Sequence, residues 1–211
     1  MIKLLFSALL SVILLFLSSC ITGNLQKSID AYSNGSYQLA LEKITPLAND
    51  GNASAQYLLG TLHYHGQGTS KNFEEAVKWF TLAAEKGNAK AQVSLATMHL
   101  TGEGTSPNHK EAYRLLKLAA DQGNALGQAK LGLIYMEGKG IYQDVVLAHM
   151  WLSLAIDHGE EDAVPVRDEI ESRMTTLQIS SAKELTRDWK PTSKYHPQSS
   201  WYSLFRWQLN F

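Results

Sequence analysis

The chain has 211 residues, contains a single cysteine and carries a formal net charge of −1 with histidine neutral. One cysteine can neither close an internal disulfide nor supply a thiolate metal cage, so stability must come from side-chain packing. No phosphate loop or zinc motif is present in the sequence, and we expect no cofactor and no metal. The near-neutral charge lacks the basic footprint of a nucleic-acid-binding protein, so we expect no nucleic-acid partner either.

The first 24 residues predict an export signal and a lipid anchor. Lys3 supplies the positive start, and the apolar run over residues 4–17 is shorter than the roughly 20 residues that span a bilayer. The letters LSSC at residues 17–20 resemble the end of a bacterial lipoprotein signal. This resemblance implies a signal peptide over residues 1–19, a lipid on Cys20 and a lipidated linker over residues 20–24. The alternative is an ordinary secretory signal that happens to contain a cysteine.

Residues 25–50 predict a degenerate helix pair, divided by the turn sequence SNGS at residues 33–36. Ala31, Ala40 and Leu41 are assigned to its packing faces. Pro46 lacks a backbone N–H, so we expect the second helix of the pair to be short or kinked.

Residues 51–158 contain three blocks of 36 residues without gaps: 51–86, 87–122 and 123–158. The first and second blocks are identical at 18 of 36 positions, and the second and third at 12 of 36. Such a fixed period is the mark of a repeat architecture. Because one block is too small to bury both of its faces, consecutive blocks must stack on each other.

Each block predicts two helices separated by a loop with two glycines. Asn72 and Asn108 precede the second helix as capping residues, with Glu75 and Glu111 three positions later, and Asp144 is the third cap. The small and large residues at offsets of zero, four and seven predict one packing stripe per second helix. These are Ala76, Phe80 and Ala83, then Ala112, Leu116 and Ala119, then Ala148, Leu152 and Ala155.

Residues 159–190 predict C-terminal capping helices, the last of them capped by Thr175 with Gln178 three positions on. The tail over residues 191–211 is rich in aromatic side chains. Its pattern leaves three alternatives open: a cap folded back on the last helix pair, which we favour, a segment on the membrane surface, or a partner-binding peptide.

The repeats resemble the Sel-one-like (Sel1-like) family, which is related to the tetratricopeptide repeats. The residues that carry the resemblance are the Ala-Gln pairs at 55–56 and 91–92, the Leu-Gly pairs at 59–60 and 131–132, the glycine loops and the closing Ala-Ala pairs. The resemblance implies an all-α solenoid of stacked antiparallel helix pairs. It also implies a protein-binding adaptor of the bacterial envelope, which the lipid would hold in the outer membrane facing the periplasm.

In the related tetratricopeptide repeats the first helix of each pair lines the binding surface. The corresponding wedge on these first helices mixes aromatic, aliphatic and polar side chains, which suits a peptide or helix partner. The predicted partner-binding residues are Tyr57, Thr61, Tyr64, His65, Val93, Thr97, Leu100, Leu133, Met136 and Glu137. The alternative is that the solenoid buries many of them between its repeats.

No catalytic residue is predicted, and we expect the chain not to be an enzyme. The match of Ser180 and Lys183 to a Ser-x-x-Lys motif lacks its companion motifs, and about one such match is expected by chance. His63 and His99 are repeat counterparts of Tyr135, so they are interpreted as packing residues. The remaining functional alternatives are a hydrolase acting on cell-wall material or β-lactams, and a structural or regulatory subunit of an envelope complex.

Overall fold

The computed structural model describes residues 23–192, and this part of the chain contains helices but no strand. The signal peptide, the predicted anchor Cys20 and the tail from residue 193 onward lie outside the described residues. The helices are α1 (described over residues 23–33), α2 (Tyr37–Asn49), α3 (Ala53–His65), α4 (Phe73–Glu85), α5 (Ala89–Thr101), α6 (His109–Asp121), α7 (Ala125–Glu137), α8 (Val145–Asp157), α9 (Val164–Glu171) and α10 (Thr176–Asp188). A short 3₁₀ turn over Glu161–Ala163 precedes α9.

The helices form an α-solenoid, as the repeat pattern predicts. From α2 to α8 each helix packs mainly on the helices that precede and follow it in the chain, while α10 packs on α8. The three repeats are therefore the pairs α3–α4, α5–α6 and α7–α8, each helix 13 residues long.

Capping residues set where the helices of each repeat begin. The side chains of Asn52, Asn88 and Asn124 accept hydrogen bonds from the backbone N–H three residues on, at the start of each first helix. Asn72, Asn108 and Asp144 do the same for the second helices, which confirms the predicted caps. Glu75 and Glu111 are expected to support these caps as in a capping box. Their carboxylates instead pair with Lys78 and Arg114, one turn along the helix.

The second glycine of each loop explains why the repeats stack with one fixed geometry. Gly68 adopts φ 71°, and a Cβ added there would lie 2.6 Å from the backbone of Tyr37, the first residue of the preceding second helix. Gly104 has the same relation to Phe73 at 2.5 Å. No larger side chain fits between a loop and the helix it rests on, so glycine recurs every 36 residues.

Alanines let the helices approach closely. The six stripe alanines of the second helices are fully buried, and Phe80, Leu116 and Leu152 fill the space between them. Two first helices carry glycine opposite this larger residue: a Cβ added at Gly60 would lie 2.7 Å from the ring of Phe80, and one added at Gly132 would lie 2.7 Å from the side chain of Leu152. The middle repeat carries Ala96 at this position, opposite the smaller Leu116.

A buried glutamine joins each repeat to the one before it. The Nε2 atoms of Gln56, Gln92 and Gln128 donate to the backbone oxygens of Ala48, Ala84 and Ala120 at 3.1, 3.2 and 3.2 Å. These oxygens lie in the last turn of the preceding second helix, where carbonyls lack partners inside the helix. The Ala-Gln signature is thus a hydrogen-bonded connection between repeats.

The terminal helix pairs close the solenoid. Ala31 and Ala40 are buried, as predicted. The helix containing Pro46 is not shortened, because α2 has the same 13 residues as its counterparts and ends three residues beyond the proline. At the other end Thr175 and Gln178 form the predicted capping box at the start of α10.

Candidate protein-binding surface

The predicted partner-binding residues lie on α3, α5 and α7, the first helices of the three repeats. Tyr64, Leu100 and Met136 occupy the same repeat position, and each is half-buried and packed against the core. Thr61, Thr97 and Leu133 form a parallel half-buried row one turn earlier. Because α5 and α7 contact each other directly, the two rows continue from the second repeat to the third. We call these six residues the first-helix surface.

The other predicted partner-binding residues differ in how far they are buried. His65 and Glu137 are exposed at the edge of the surface, and Tyr57 is half-buried with its ring 5.8 Å from that of Phe80. Val93 is only 4% exposed and belongs to the core. The assignment of Val93 to an accessible surface is therefore corrected, because its side chain packs in the core cluster that is shared by the three repeats.

The polar groups of this surface are partly satisfied within the chain. The hydroxyls of Thr61 and Thr97 donate to the backbone oxygens of Tyr57 and Val93, at 2.9 Å in both cases. Tyr64 donates its hydroxyl proton to the Glu103 carboxylate at 2.8 Å, which links the first repeat to the second. This hydrogen bond, together with burial, raises the pKa of Tyr64, so the phenol stays neutral.

The first-helix surface combines partly exposed apolar side chains with hydroxyl groups that can still accept hydrogen bonds. The threonine hydroxyls keep acceptor capacity after their donor bonds, and the Tyr64, Leu100 and Met136 side chains present part of their apolar area. Surfaces of this composition bind an amphipathic segment through side-chain anchors, with polar contacts that fix its register.

A second feature is a polar cleft of about 750 Å³ between α8, α9 and α10. His149, which is 1% exposed, has its Nε2 2.8 Å from the Glu171 carboxylate, and Lys183 donates to the same carboxylate at 3.2 Å. These hydrogen bonds from His149 and Lys183 lower the pKa of Glu171. The contacts of Glu171 with His149 and Lys183 thus join the capping helices α9 and α10 to α8 of the last repeat.

This cluster has no signal in the sequence, because His149 and Glu171 are 22 residues apart on different helices. The Ser-x-x-Lys match lies beside it, but Ser180 donates its hydroxyl proton to the Leu177 backbone oxygen at 3.0 Å. Lys183 meanwhile forms its ion pair with Glu171. The two residues are therefore engaged separately and do not form a nucleophile and its base.

The Sel1 repeat profile matches residues 53–88, 89–124 and 125–160, which is just over half of the chain. The chain belongs to the Sel1 repeat family. Each matched Sel1 unit begins at the first residue of a first helix, two residues after the predicted block boundary. Among curated proteins, none matches this chain.

Solved structures of Sel1 repeat proteins share the fold. The crystal structure of a Sel1 repeat protein from Oxalobacter formigenes is 34% identical with a TM-score of 0.63, and the match covers 66% of this chain and 57% of that chain. A second structure is c5321, described as a protective antigen present in uropathogenic Escherichia coli strains and displaying an SLR fold. It is 29% identical with a TM-score of 0.73, covering 88% of this chain and 40% of that chain.

Proteins built from Sel1 repeats generally mediate protein–protein interactions, and the fold is typically a non-catalytic scaffold. None of the helices described between residues 23 and 192 is both long and apolar enough to cross a membrane. Over the same residues, no three histidine or acidic side chains come close enough together to hold a metal ion.

The histidines of the Sel1 repeats lie where the packing interpretation puts them. His63 and His99 are half-buried, and burial lowers the pKa of His63. The Nδ1 atoms of both rings are buried without a hydrogen-bond partner. The hydroxyl of their counterpart Tyr135 does have a partner, since it lies 3.0 Å from the hydroxyl of Tyr113.

Proposed function

We propose that this protein is a lipid-anchored scaffold of the bacterial envelope that binds a segment of a partner protein on the first-helix surface. The observation that carries the proposal is the row formed by Tyr64, Leu100 and Met136, three half-buried apolar side chains at one repeat position. A row repeated in register along a solenoid offers equally spaced anchors to an extended or helical segment.

The anchor is the second part of the proposal. The LSSC sequence supports acylation of Cys20. The residue after Cys20 is Ile21 and not an aspartate, which favours the outer membrane. Several acyl chains hold a protein stably on a membrane, at about 0.8 kcal/mol for each buried methylene. Because α1 is already formed at residue 23, the scaffold would be held close to the lipid surface.

Binding is tested in cells that express the full chain with a photo-crosslinking residue in place of Leu100. We expect a covalent adduct with one defined protein, and we expect Leu100→Asp to abolish co-purification of that protein while the helical circular dichroism is unchanged. Leu177→Asp is the control, because Leu177 is an exposed leucine on α10, away from the first-helix surface. Equal loss in both variants, or unfolding of Leu100→Asp, would contradict the proposal.

The anchor is tested separately by growing cells on an alkyne-tagged fatty acid. The wild-type chain should be labelled and should fractionate with outer membranes, whereas Cys20→Ser should be unlabelled and released from the membrane. An unlabelled wild-type chain would rule out the anchor and leave the binding surface unaffected.

A further inference from the structure

Two lysines lie beside the first-helix surface. Lys90 on α5 is exposed, and Lys130 on α7 is half-buried. Helical spacing puts Lys90 on the same face of α5 as Thr97, and it puts Lys130 on the same face of α7 as Leu133. Within residues 23–192, neither ammonium group forms an ion pair or a hydrogen bond with another residue.

The repeat framework does not require these lysines. The equivalent residues in the other repeats are Ser54 and Leu126 for the position of Lys90, and Leu58 and Ser94 for the position of Lys130. Lys90 is also the second residue of α5, where the partial positive charge of a helix N-terminus disfavours a cation. Neither the stacking of the repeats nor the helix dipole therefore accounts for a cation at these two positions.

The acidic residues near this face do not neutralise the two lysines. With histidine neutral, the charged residues of the three first helices are Lys90, Lys130 and Glu137. Glu137 pairs with Lys139 at 2.7 Å. Glu85, the acidic residue closest to Lys90 in the sequence, ends α4 and forms no ion pair with it. The unpaired charge on the first helices is therefore positive.

Apolar side chains surround the ammonium group of Lys130. Leu126, which is 44% exposed, lies one turn before it on α7, and the half-buried Leu133 lies one turn after it. The aliphatic stem of a half-buried lysine packs along such neighbours while the ammonium group stays in contact with solvent. This face thus combines anchors for apolar side chains with cations that attract carboxylates.

We propose that the segment bound on the first-helix surface is acidic and amphipathic, and that its carboxylates pair with Lys90 and Lys130. Its apolar side chains lie on Leu100, Leu126 and Leu133. This inference rests on the function proposed above and specifies the chemistry of the partner. The whole chain has a net charge of −1, so its overall charge does not attract an acidic segment. The preference is local to the two lysines, and substitutions can separate it from the apolar contacts.

Peptide selection tests the chemistry of the partner. A displayed library of random peptides is selected on the detergent-solubilised full chain, and peptides that also bind the Leu100→Asp variant are removed. We expect the remaining peptides to contain about twice the aspartate and glutamate content of the input library, or more, together with large apolar residues. Leu100-dependent peptides without an acidic excess would overturn this inference and leave the proposed function intact. A selection that yields no Leu100-dependent peptide would contradict both.

Charge reversal tests the two lysines themselves. One selected peptide is titrated with the full chain and with the double variant Lys90→Glu and Lys130→Glu, and binding is followed by fluorescence anisotropy. We expect the Kd to rise about tenfold in the double variant, and we expect the wild-type Kd to rise with salt concentration.

The matched control for charge reversal is the double variant Lys27→Glu and Lys110→Glu. These lysines are exposed on α1 and α6, and within residues 23–192 they also form no ion pair. The control should change the Kd by less than about twofold, because its charges lie away from the first-helix surface. Equal rises in the two double variants would show an effect of overall charge and would overturn the proposal.

Anionic lipid is the other ligand that two unpaired lysines could bind. The Cys20→Ser chain, which lacks the predicted lipid attachment site, is therefore mixed with vesicles of phosphatidylglycerol and phosphatidylcholine, and co-sedimentation is measured. We expect any vesicle binding to be the same with and without the Lys90→Glu and Lys130→Glu substitutions. Vesicle binding that these substitutions abolish would assign the lysines to lipid and overturn the proposal.

Discussion

His158 Nδ1 lies 2.7 Å from Oε1 of the buried Gln128, and it is the donor of that hydrogen bond. The direction follows from the amide itself, because Gln128 Nε2 already donates to the Ala120 oxygen and leaves Oε1 as the acceptor. The glutamine therefore joins the end of α6 to the end of α8. In the preceding repeat Gln122 donates to Gln92 Oε1 at 2.8 Å, from the position equivalent to His158.

The first repeat breaks this pattern. The equivalent residue is Lys86, whose ammonium donates to the Gly51 backbone oxygen, and Gln56 Oε1 is buried without a partner. A buried unsatisfied acceptor costs about 1–3 kcal/mol. The three glutamines thus occupy equivalent positions in the sequence but contribute differently to the free energy of unfolding.

Replacing the glutamines by leucine should reveal this inequality. We expect Gln92→Leu to lower the free energy of unfolding by about 2 kcal/mol, because it removes the hydrogen bond to the Ala84 oxygen and the one from Gln122. Gln56→Leu should cost about 1–2 kcal/mol less, because it also removes the unsatisfied Oε1. Urea unfolding of both variants measures the difference, and equal losses would contradict the prediction.

Lys86→Gln should stabilise the protein. Glutamine at this position can donate to Gln56 Oε1 as Gln122 does to Gln92, and we expect a gain of about 1 kcal/mol, or about 3 °C in Tm. The matched control is Lys86→Gln in a Gln56→Leu background, where no gain should appear. A gain of the same size in that background would show that the effect has another origin.

Gly60→Ala should destabilise the chain although alanine is the better helix former. Its Cβ would lie 2.7 Å from the Phe80 ring, and overpacking of this kind costs about 1–3 kcal/mol. The pair Gly60→Ala with Phe80→Leu reproduces Ala96 and Leu116 of the middle repeat. We therefore expect Gly60→Ala to be less costly in the Phe80→Leu background, as measured by a double-mutant cycle from thermal unfolding.

Glu171 should make stability depend on pH in the acid range. Its pKa is lowered in the folded protein by the hydrogen bonds from His149 and Lys183. A lowered pKa contributes stability that is complete above the unfolded value of about 4.3 and is lost as the pH falls through the folded value. The stability difference between wild type and Glu171→Gln should therefore shrink as the pH falls below about 4. Urea unfolding at a series of pH values measures it, and a difference that is constant with pH would contradict the assignment. Lys183→Gln should weaken the dependence without removing it.

The sequence by itself determined the solenoid, because its signals are local or strictly periodic. Asn72, Asn108 and Asp144 start their helices through contacts made within one turn, and the stripe alanines follow from helical spacing. The loop glycines recur every 36 residues because every repeat rests on the preceding one in the same way. Identical local rules applied three times fix the repeat boundaries to within two residues.

Only the tertiary structure decided which side chains remain accessible and which distant residues meet. Tyr57 and Val93 share one repeat position, yet Val93 is only 4% exposed and belongs to the core, whereas Tyr57 is half-buried. His149 meets Glu171 across two helices, and Thr192 meets Asp121 across 71 residues. Such contacts depend on how the helices are rotated and stacked, and the periodicity of a single helix carries no information about the neighbour that covers it.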